Sequence, residues 1–362
     1  MNRLDRYLGR AVLSGASIAL LALTAVTAFF AFLGELGDLG KGSGPDGQGG
    51  YGLGDALLFT WYVLPRITYE MFPMAALLGS LLGLGALASN SELIVMRAVG
   101  LSIGRIVRAA TTAGLLLMLL AVAIGEGLAP ISDRMAQTVR NQALSETVSF
   151  RGRLGYWVRD GRDFVNIREL AGPEEIRRIT LFRFNAALEL EHWIEAERAV
   201  WSPDGTWMLE SVRDSRISPE GVEHTYSERM PWASGLLPDM INVAVAKPET
   251  LAIWELRAFV RYFENNGQDA SRFELAFWKK LILPLSSIVM VMLAVPFVFG
   301  SLRDTGTGQR ILVGMLVGIG FHIANSSLSN LGLLQGVPPL WSAASPTLLF
   351  FAGGLIWIRR IR

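Results

Sequence analysis

The chain has 362 residues, 51% of them hydrophobic and 18% charged, with no cysteine and a formal net charge of +1. Soluble domains carry about a quarter charged residues, so the deficit points to contact with lipid. The missing thiols exclude disulfides, thiolate metal sites and cysteine nucleophiles, and a near-neutral chain without a basic cluster offers nothing to nucleic acid.

A membrane span needs about 20 mostly apolar residues, because a helix rises about 1.5 Å per residue across about 30 Å of hydrocarbon. The first such run is Ala11 to Leu33, preceded by Arg3, Arg6 and Arg10. It is too long for a signal peptide and no small-residue cleavage site follows, so a retained helix is expected. The second, about Ala56 to Ala88, contains Pro65 and Pro73, which kink a helix but are tolerated where neighbouring helices re-satisfy the freed carbonyl. The third is about Ile106 to Leu128. Hydropathy then falls until spans four (Phe277 to Phe299, with Pro284 and Pro296), five (Ile311 to Leu334) and six (Leu340 to Ile358).

The short loops set the orientation. Arg97, Arg105 and Arg108 lie between spans two and three, Arg303 and Arg310 between four and five, and Arg359, Arg360 and Arg362 end the chain. The opposite loops carry Glu35, Asp38, Asp46 and Asp55, or no charge at all (Gln335 to Pro339). The positive-inside rule then places both termini in the cytoplasm and the 131–275 segment outside, in the periplasm of a two-membrane cell.

That segment reads as strands from about Arg134 to Ala270. Asp160-Gly161 separates two short runs rich in Val, Tyr, Trp and Ile, a hairpin signal. Ser202-Pro203-Asp204-Gly205 marks a second hairpin, and ITLFRFN alternates with period two. Regular short strands suggest a sandwich or jelly roll. Trp157, Trp193, Trp201, Trp207 and Trp232 either line an apolar groove or fill a core. From Pro248 to Gly267 the pattern turns helical, with Leu251, Trp254 and Ala258 at three-to-four spacing, as in an amphipathic helix returning to the membrane. The fold class expected is a polytopic α-helical membrane protein of six spans with an inserted all-β, jellyroll-like periplasmic domain. Its parts are 1–130, 131–270 and 271–362.

Two motifs are decoys. Gly83-Leu84-Gly85-Ala86-Leu87-Ala88 loosely fits a dinucleotide fingerprint but has no strand before it, and Gly40-Lys41-Gly42-Ser43 lacks the spacing of a phosphate loop. His192, His224 and His322 lack metal-ligand spacing, and GxSxG is absent. No catalytic residue, metal or cofactor is expected. Gly79 with Gly83 and Gly314 with Gly318 form GxxxG pairs, serving either a partner helix or packing within the subunit.

Between spans two and three, Ser89 and Glu92 fit a capping box and Gly100 a helix stop. They bracket a helix of about ten residues, too short to span, that would lie in the cytoplasm and receive force from a partner. Span five carries His322, Asn325, Ser326, Ser329 and Asn330. Positions 322, 325 or 326, and 329 share a face, expected to look toward a cavity or partner.

The block FPMAALLGSLLGLGALASNSELIVMRAVG from Phe72, with AIGEGLAP (Ala123 to Pro130), GQDASRFELAFWKKLILPLS (Gly267 to Ser286), FVFGSLR (Phe297 to Arg303) and GVPP (Gly336 to Pro339), resembles the LptF/LptG permeases of the lipopolysaccharide exporter, closer to the LptG branch. The resemblance runs through the whole chain in order. It implies a heterodimer with an LptF-like permease, an LptB-like ATPase dimer, an LptC-like membrane-anchored protein, and lipopolysaccharide as substrate, with spans one and five as lateral gates. The Ser89–Gly100 helix would be the coupling helix, with Ser91, Glu92, Met96, Arg97 and Gly100 facing the ATPase. The lipopolysaccharide path would run past Asp38, Lys41, Arg66, Arg134, Arg140, His322, Asn325 and Ser329. The family often places a lysine near the outer end of span one. Here Glu35 and Asp38 stand there, with Lys41 the nearest base, so Arg66, Arg134 or Arg140 would take the lipid phosphates. The alternative is a receptor with a ligand-binding outer domain, which the short cytoplasmic loops disfavour. An intramembrane hydrolase lacks a nucleophile–base pair at helical spacing.

Overall fold

The computed structural model describes residues 3–41, 50–144, 148–149, 155–172, 174–185, 187–219, 221–236, 238, 248–299 and 306–360. Gly42, Ser43, Asp46, Arg303 and Arg362 lie outside the described residues.

The membrane part comprises α1 (Arg3–Glu35), α2 (Leu53–Ser89), α3 (Glu92–Ala98), α4 (Ile103–Val122), α5 (Ala129–Leu144), α7 (Ser271–Phe299), α8 (Thr307–Leu334) and α9 (Pro339–Arg360), with the amphipathic α6 (Ile253–Asn265) leading into α7. Among the described residues, six helical stretches are long and apolar enough to cross a membrane, as the hydropathy runs predict. An α-helix satisfies its own backbone polar groups, which lipid cannot do for it. α2 continues through Pro65 and Pro73, and α7 through Pro284 and Pro296.

Residues 134–144 are helix where the sequence reads as strand. A π-helical turn, Ala123–Leu128, carries α4 on into α5. Hydropathy falls there because the helix gains charges that pair with neighbouring elements, not because it ends. The π turn admits one extra residue, a feature often found at functional positions. It places Gly125 under the Tyr69 ring, where a Cβ would lie 2.4 Å from ring carbons.

α2 and α7 form the buried centre of the bundle. Both GxxxG pairs are used inside the subunit. A Cβ on Gly79 would stand 2.1 Å from Ala16 backbone atoms, and one on Gly83 2.1 Å from the Ala11 carbonyl oxygen. The α1 and α2 backbones therefore touch at one end of the bundle. Beyond Ala19, α1 leaves Leu21, Val26, Phe29 and Phe30 exposed. Gly314 and Gly318 of α8 lie against Leu78, Leu81 and Met74 of α2.

The inserted β domain is one antiparallel sheet: β1 (Val148–Ser149), β2 (Tyr156–Asp160), β3 (Asp163–Gly172), β4 (Glu175–Phe184), β5 (Leu190–Trp201), β6 (Trp207–Ser218) and β7 (Gly221–Trp232). From β3 to β7 each strand pairs with the next, while β1 and β2 both pair with β3. Both expected hairpins form, with Gly161 and Gly205 at positive φ where a side chain would strain the turn. Val165, Ile167, Ile179, Leu181, Ile194 and Ala196 fill the core, as period-two alternation requires. Trp207 and Trp232 are core residues, and the Trp207 indole N–H donates to the Leu236 carbonyl at 2.8 Å. Trp157 and Trp193 remain 50% and 38% exposed and stack on either side of Phe182.

Candidate functional site

At one end of the bundle the chain turns from α2 into α3. The capping box does not form. Ser89 is the last residue of α2 and its hydroxyl donates back to the Gly85 carbonyl at 2.9 Å. The residue before α3 is Ser91, in the left-handed region at φ +60°, and its side chain makes no cap. The reason is a competing partner. The Glu92 carboxylate accepts a hydrogen bond from the Tyr7 hydroxyl of α1 at 2.8 Å, across 85 residues of sequence. The stop works as read: at Gly100 (φ +95°) its N–H donates to the Arg97 carbonyl and the Leu101 N–H to that of Met96, the Schellman pattern.

α3 has two unlike sides. Leu93 is buried in the core of the bundle and Met96 packs against it. The Arg97 guanidinium sits 5.8 Å from the centre of the Phe299 ring. Ile94, Val95 and Val99 point outward, Val99 being 83% exposed. An apolar patch on a helix held by its opposite side has the form of a docking face. Asp5 of α1 pairs with Arg105 of α4 at 3.3 Å beside it, so α1, α3 and α4 meet here.

At the opposite end, nearest the β domain, the structure pairs every cationic side chain expected along the path. Arg140 of α5 contacts Glu35 (3.2 Å) and Asp38, and Lys41 contacts Asp38 at 2.7 Å. The Tyr51 hydroxyl donates to Glu35 at 2.9 Å, and burial followed by that carboxylate pushes its pKa up. Two acids and two bases thus form one cluster, and Arg140 also lies over the Phe59 ring. Arg66 holds Glu70 (3.1 Å) one turn along α2 and Asp133 (3.2 Å) of α5. Arg134 holds Glu255 of α6. Lys280 of α7 pairs with Glu126 of the π turn at 3.0 Å, and Glu126 also accepts the Ile253 N–H at 2.8 Å, anchoring the start of α6. An intramembrane charge survives by pairing in this way.

Span five divides its polar residues. His322 and Asn325 line a cavity of about 150 Å³ together with Glu70, Met74, Leu283 and Phe321. Ser329 is buried elsewhere and donates to the Ser342 carbonyl of α9 at 3.3 Å.

The sequence reading missed Glu70, Asp133 and Glu255, the counterions that fix Arg66 and Arg134, and the Lys280–Glu126 pair. A signal was available. Glu70, Glu126 and Lys280 are ionisable residues within or beside apolar runs, and such residues seek partners.

Comparison with known proteins agrees with this architecture. Residues 6–360 match the family described as lipopolysaccharide export system permease LptF/LptG. The chain is 34% identical over 350 residues to the lipopolysaccharide export system permease protein LptG of Escherichia coli strain K12, covering 96% of this chain and 95% of that protein. It is likewise 34% identical over 358 residues to the protein of the same name from Haemophilus influenzae, covering 99% and 98%. A match of this extent places the chain in the LptF/LptG family of lipopolysaccharide export system permeases.

Proposed function

We propose that this chain is the LptG-type permease subunit of an ABC exporter that draws lipopolysaccharide from the inner membrane and passes it to a periplasmic bridge. Membership in the family over residues 6–360 carries the reading. The exposed apolar side of α3, on a helix anchored to α1 and the bundle core, supplies the place where a motor would act.

In this reading both termini and α3 are cytoplasmic and the β domain is periplasmic, as the arginines of the short loops require. The parts 1–130 and 271–362 form the membrane body and 131–270 the outer domain. The partners are an LptF-like permease, an LptB-like ATPase dimer and an LptC-like protein. The permease performs no chemistry of its own, and ATP is hydrolysed by the separate ATPase. Closure of that dimer presses on the exposed side of α3, Ile94, Val95 and Val99 with Ser91, Arg97 and Gly100, and reaches the bundle through Glu92 and Met96; the cavity between the two permeases narrows, and the glycolipid moves outward. His322 and Asn325 face that route, and Ser329 holds span five to span six.

The bases along the path work by exchange. Arg140 and Lys41 are neutralised by Glu35 and Asp38, so a lipid phosphate takes them over by displacing carboxylates and releases them when the carboxylates return. Arg66 and Arg134 stand with their own carboxylates in the same way. Such a site binds without holding too tightly for release.

The test is charge reversal at α3. In the purified complex in lipid vesicles, Glu92→Lys lowers retention of the ATPase subunit or the lipopolysaccharide released per ATP, by about tenfold. Normal assembly and normal release in that variant overturn the assignment of α3 as the coupling element.

A further inference from the structure

Arg310 stands four residues into α8, at its α3 end, and only 2% of it is exposed. Its Nη1 donates to the Gly85 carbonyl at 2.6 Å and to the Ser89 hydroxyl at 2.8 Å. Those acceptors occupy the last turn of α2, directly before the left-handed Ser91 that opens into α3. The position is electrostatically apt, because carbonyl oxygens at a helix C-terminus carry partial negative charge. Gly85 makes room for it: a Cβ there would lie 2.8 to 3.0 Å from Arg310 Cδ, Nη1 and Nε.

We propose that Arg310 is the positioning residue that transmits displacement of α3 to span five. This rests on the permease reading above and deepens it. Other α2–α8 contacts further along the helices set Gly314 and Gly318 against the side chains of Leu78, Leu81 and Met74. Apolar contacts of that kind are non-directional, and flexible side chains absorb small sliding. A buried guanidinium bonded to a backbone carbonyl is directional, and leaving it unsatisfied costs more than an ordinary hydrogen bond. When α3 moves, the last turn of α2 moves with it, and α8 follows through Arg310. Tyr7 performs the matching task for span one by holding Glu92 directly. One short helix therefore pulls on both spans that the family resemblance designates as gates, through two separate polar links.

The test uses the assembled complex of this chain with the LptF-like, LptB-like and LptC-like subunits in lipid vesicles, reading ATP hydrolysis and lipopolysaccharide release together. If the unaltered complex releases no lipopolysaccharide on ATP addition, the permease reading fails and the inference falls with it. Given release, Arg310→Met assembles, keeps hydrolysis within about twofold, and lowers release per ATP at least fivefold. Arg310→Lys, which retains one donor group on a shorter reach, recovers part of that ratio. Gly85→Ala, which crowds the guanidinium without removing it, lowers the ratio in the same direction. In an Arg310→Ala background Gly85→Ala adds no further loss, because every side-chain atom it would crowd is gone. An unchanged release-to-hydrolysis ratio in Arg310→Met overturns the proposal, as does an equal fall of both activities. Failure of both Arg310→Met and Gly85→Ala to assemble also overturns it, since Arg310 would then serve only to hold the fold.

Discussion

Near the β domain, Arg66, Arg134, Arg140 and Lys280 each face a carboxylate on a different helix or turn. Near α3, α1 and α2 meet backbone to backbone through Gly15, Gly79 and Gly83, and the polar contacts are directed hydrogen bonds from Tyr7 and Arg310 together with the Asp5–Arg105 ion pair. Ion pairs lose little energy when a partner shifts slightly or is exchanged for another anion. Backbone-to-backbone contacts through glycine tolerate almost no displacement, since a few tenths of an ångström meets hard-core repulsion. One end of the bundle is thus built to be rigid and the other to rearrange, as the proposed function asks of a body driven at one end and loaded at the other.

Filling a glycine at the rigid end gives the largest effect. In Gly83→Val the Cβ would approach the Ala11 carbonyl oxygen to 2.1 Å. The conflict is with backbone, so no rotamer relieves it, and destabilisation exceeds the roughly 1–3 kcal/mol of ordinary overpacking. Loss of the folded protein by size-exclusion profile and thermal melt is expected. Wild-type melting would show that α1 and α2 separate easily, and the contrast between the two ends would collapse.

Next comes an ion pair at the β-domain end. Arg66→Met leaves Asp133, which is 3% exposed, without its cation. Removing one partner of a buried pair costs about 3–5 kcal/mol, whereas removing both often costs little. Arg66→Met is expected to lower the melting temperature markedly, and the Arg66→Met, Asp133→Leu double variant to restore most of it. A double variant no better than the single would mean that the charges are not paired in the folded state.

How these residues appear in the sequence follows from what stabilises each region. The spans are legible because lipid imposes a composition on every residue facing it, and the hairpins because Asp160-Gly161 and Asp204-Gly205 supply the backbone angles their turns need. Those requirements are local. The continuation of span three as α5 is hidden, because Arg134 and Arg140 look like a soluble segment until Glu255, Glu35 and Asp38 are brought to them. The capping box at Ser89 and Glu92 fails for the same reason: Tyr7 and Arg310 are remote in sequence and outcompete the local bond. Five of the eight residues expected along the lipid path, Asp38, Lys41, Arg66, Arg134 and Arg140, gather at the β-domain end, and His322 and Asn325 share a cavity with Glu70. Residue type together with the family resemblance nominated them, but pairing depends on tertiary placement.

The face of α3 separates rigidity from docking. Val99 is 83% exposed, so Val99→Asp leaves the fold and melting temperature intact. If that face receives the ATPase, a carboxylate in its apolar centre costs about 2 kcal/mol of association, some thirtyfold in affinity. Titration of the ATPase against the permease pair measures it directly. Unchanged affinity would move the docking surface elsewhere and leave Ile94, Val95 and Val99 as ordinary exposed apolar residues.

The smallest effect belongs to the β domain, outside both ends. The Glu175 carboxyl accepts hydrogen bonds from Arg198 and Arg177, which hold its pKa below the usual carboxylate value. A lowered folded-state pKa stabilises the fold at pH above the unfolded value. That stabilisation is lost as pH falls through the folded value. The pairs are surface pairs, so salt screens them and their worth is about 0.5 kcal/mol. Glu175→Gln should therefore melt slightly below the parent at pH 7, with the gap closing as acid protonates the folded carboxyl and narrowing in high salt. A gap that neither acid nor salt narrows would assign the role of Glu175 to packing between β4 and β5.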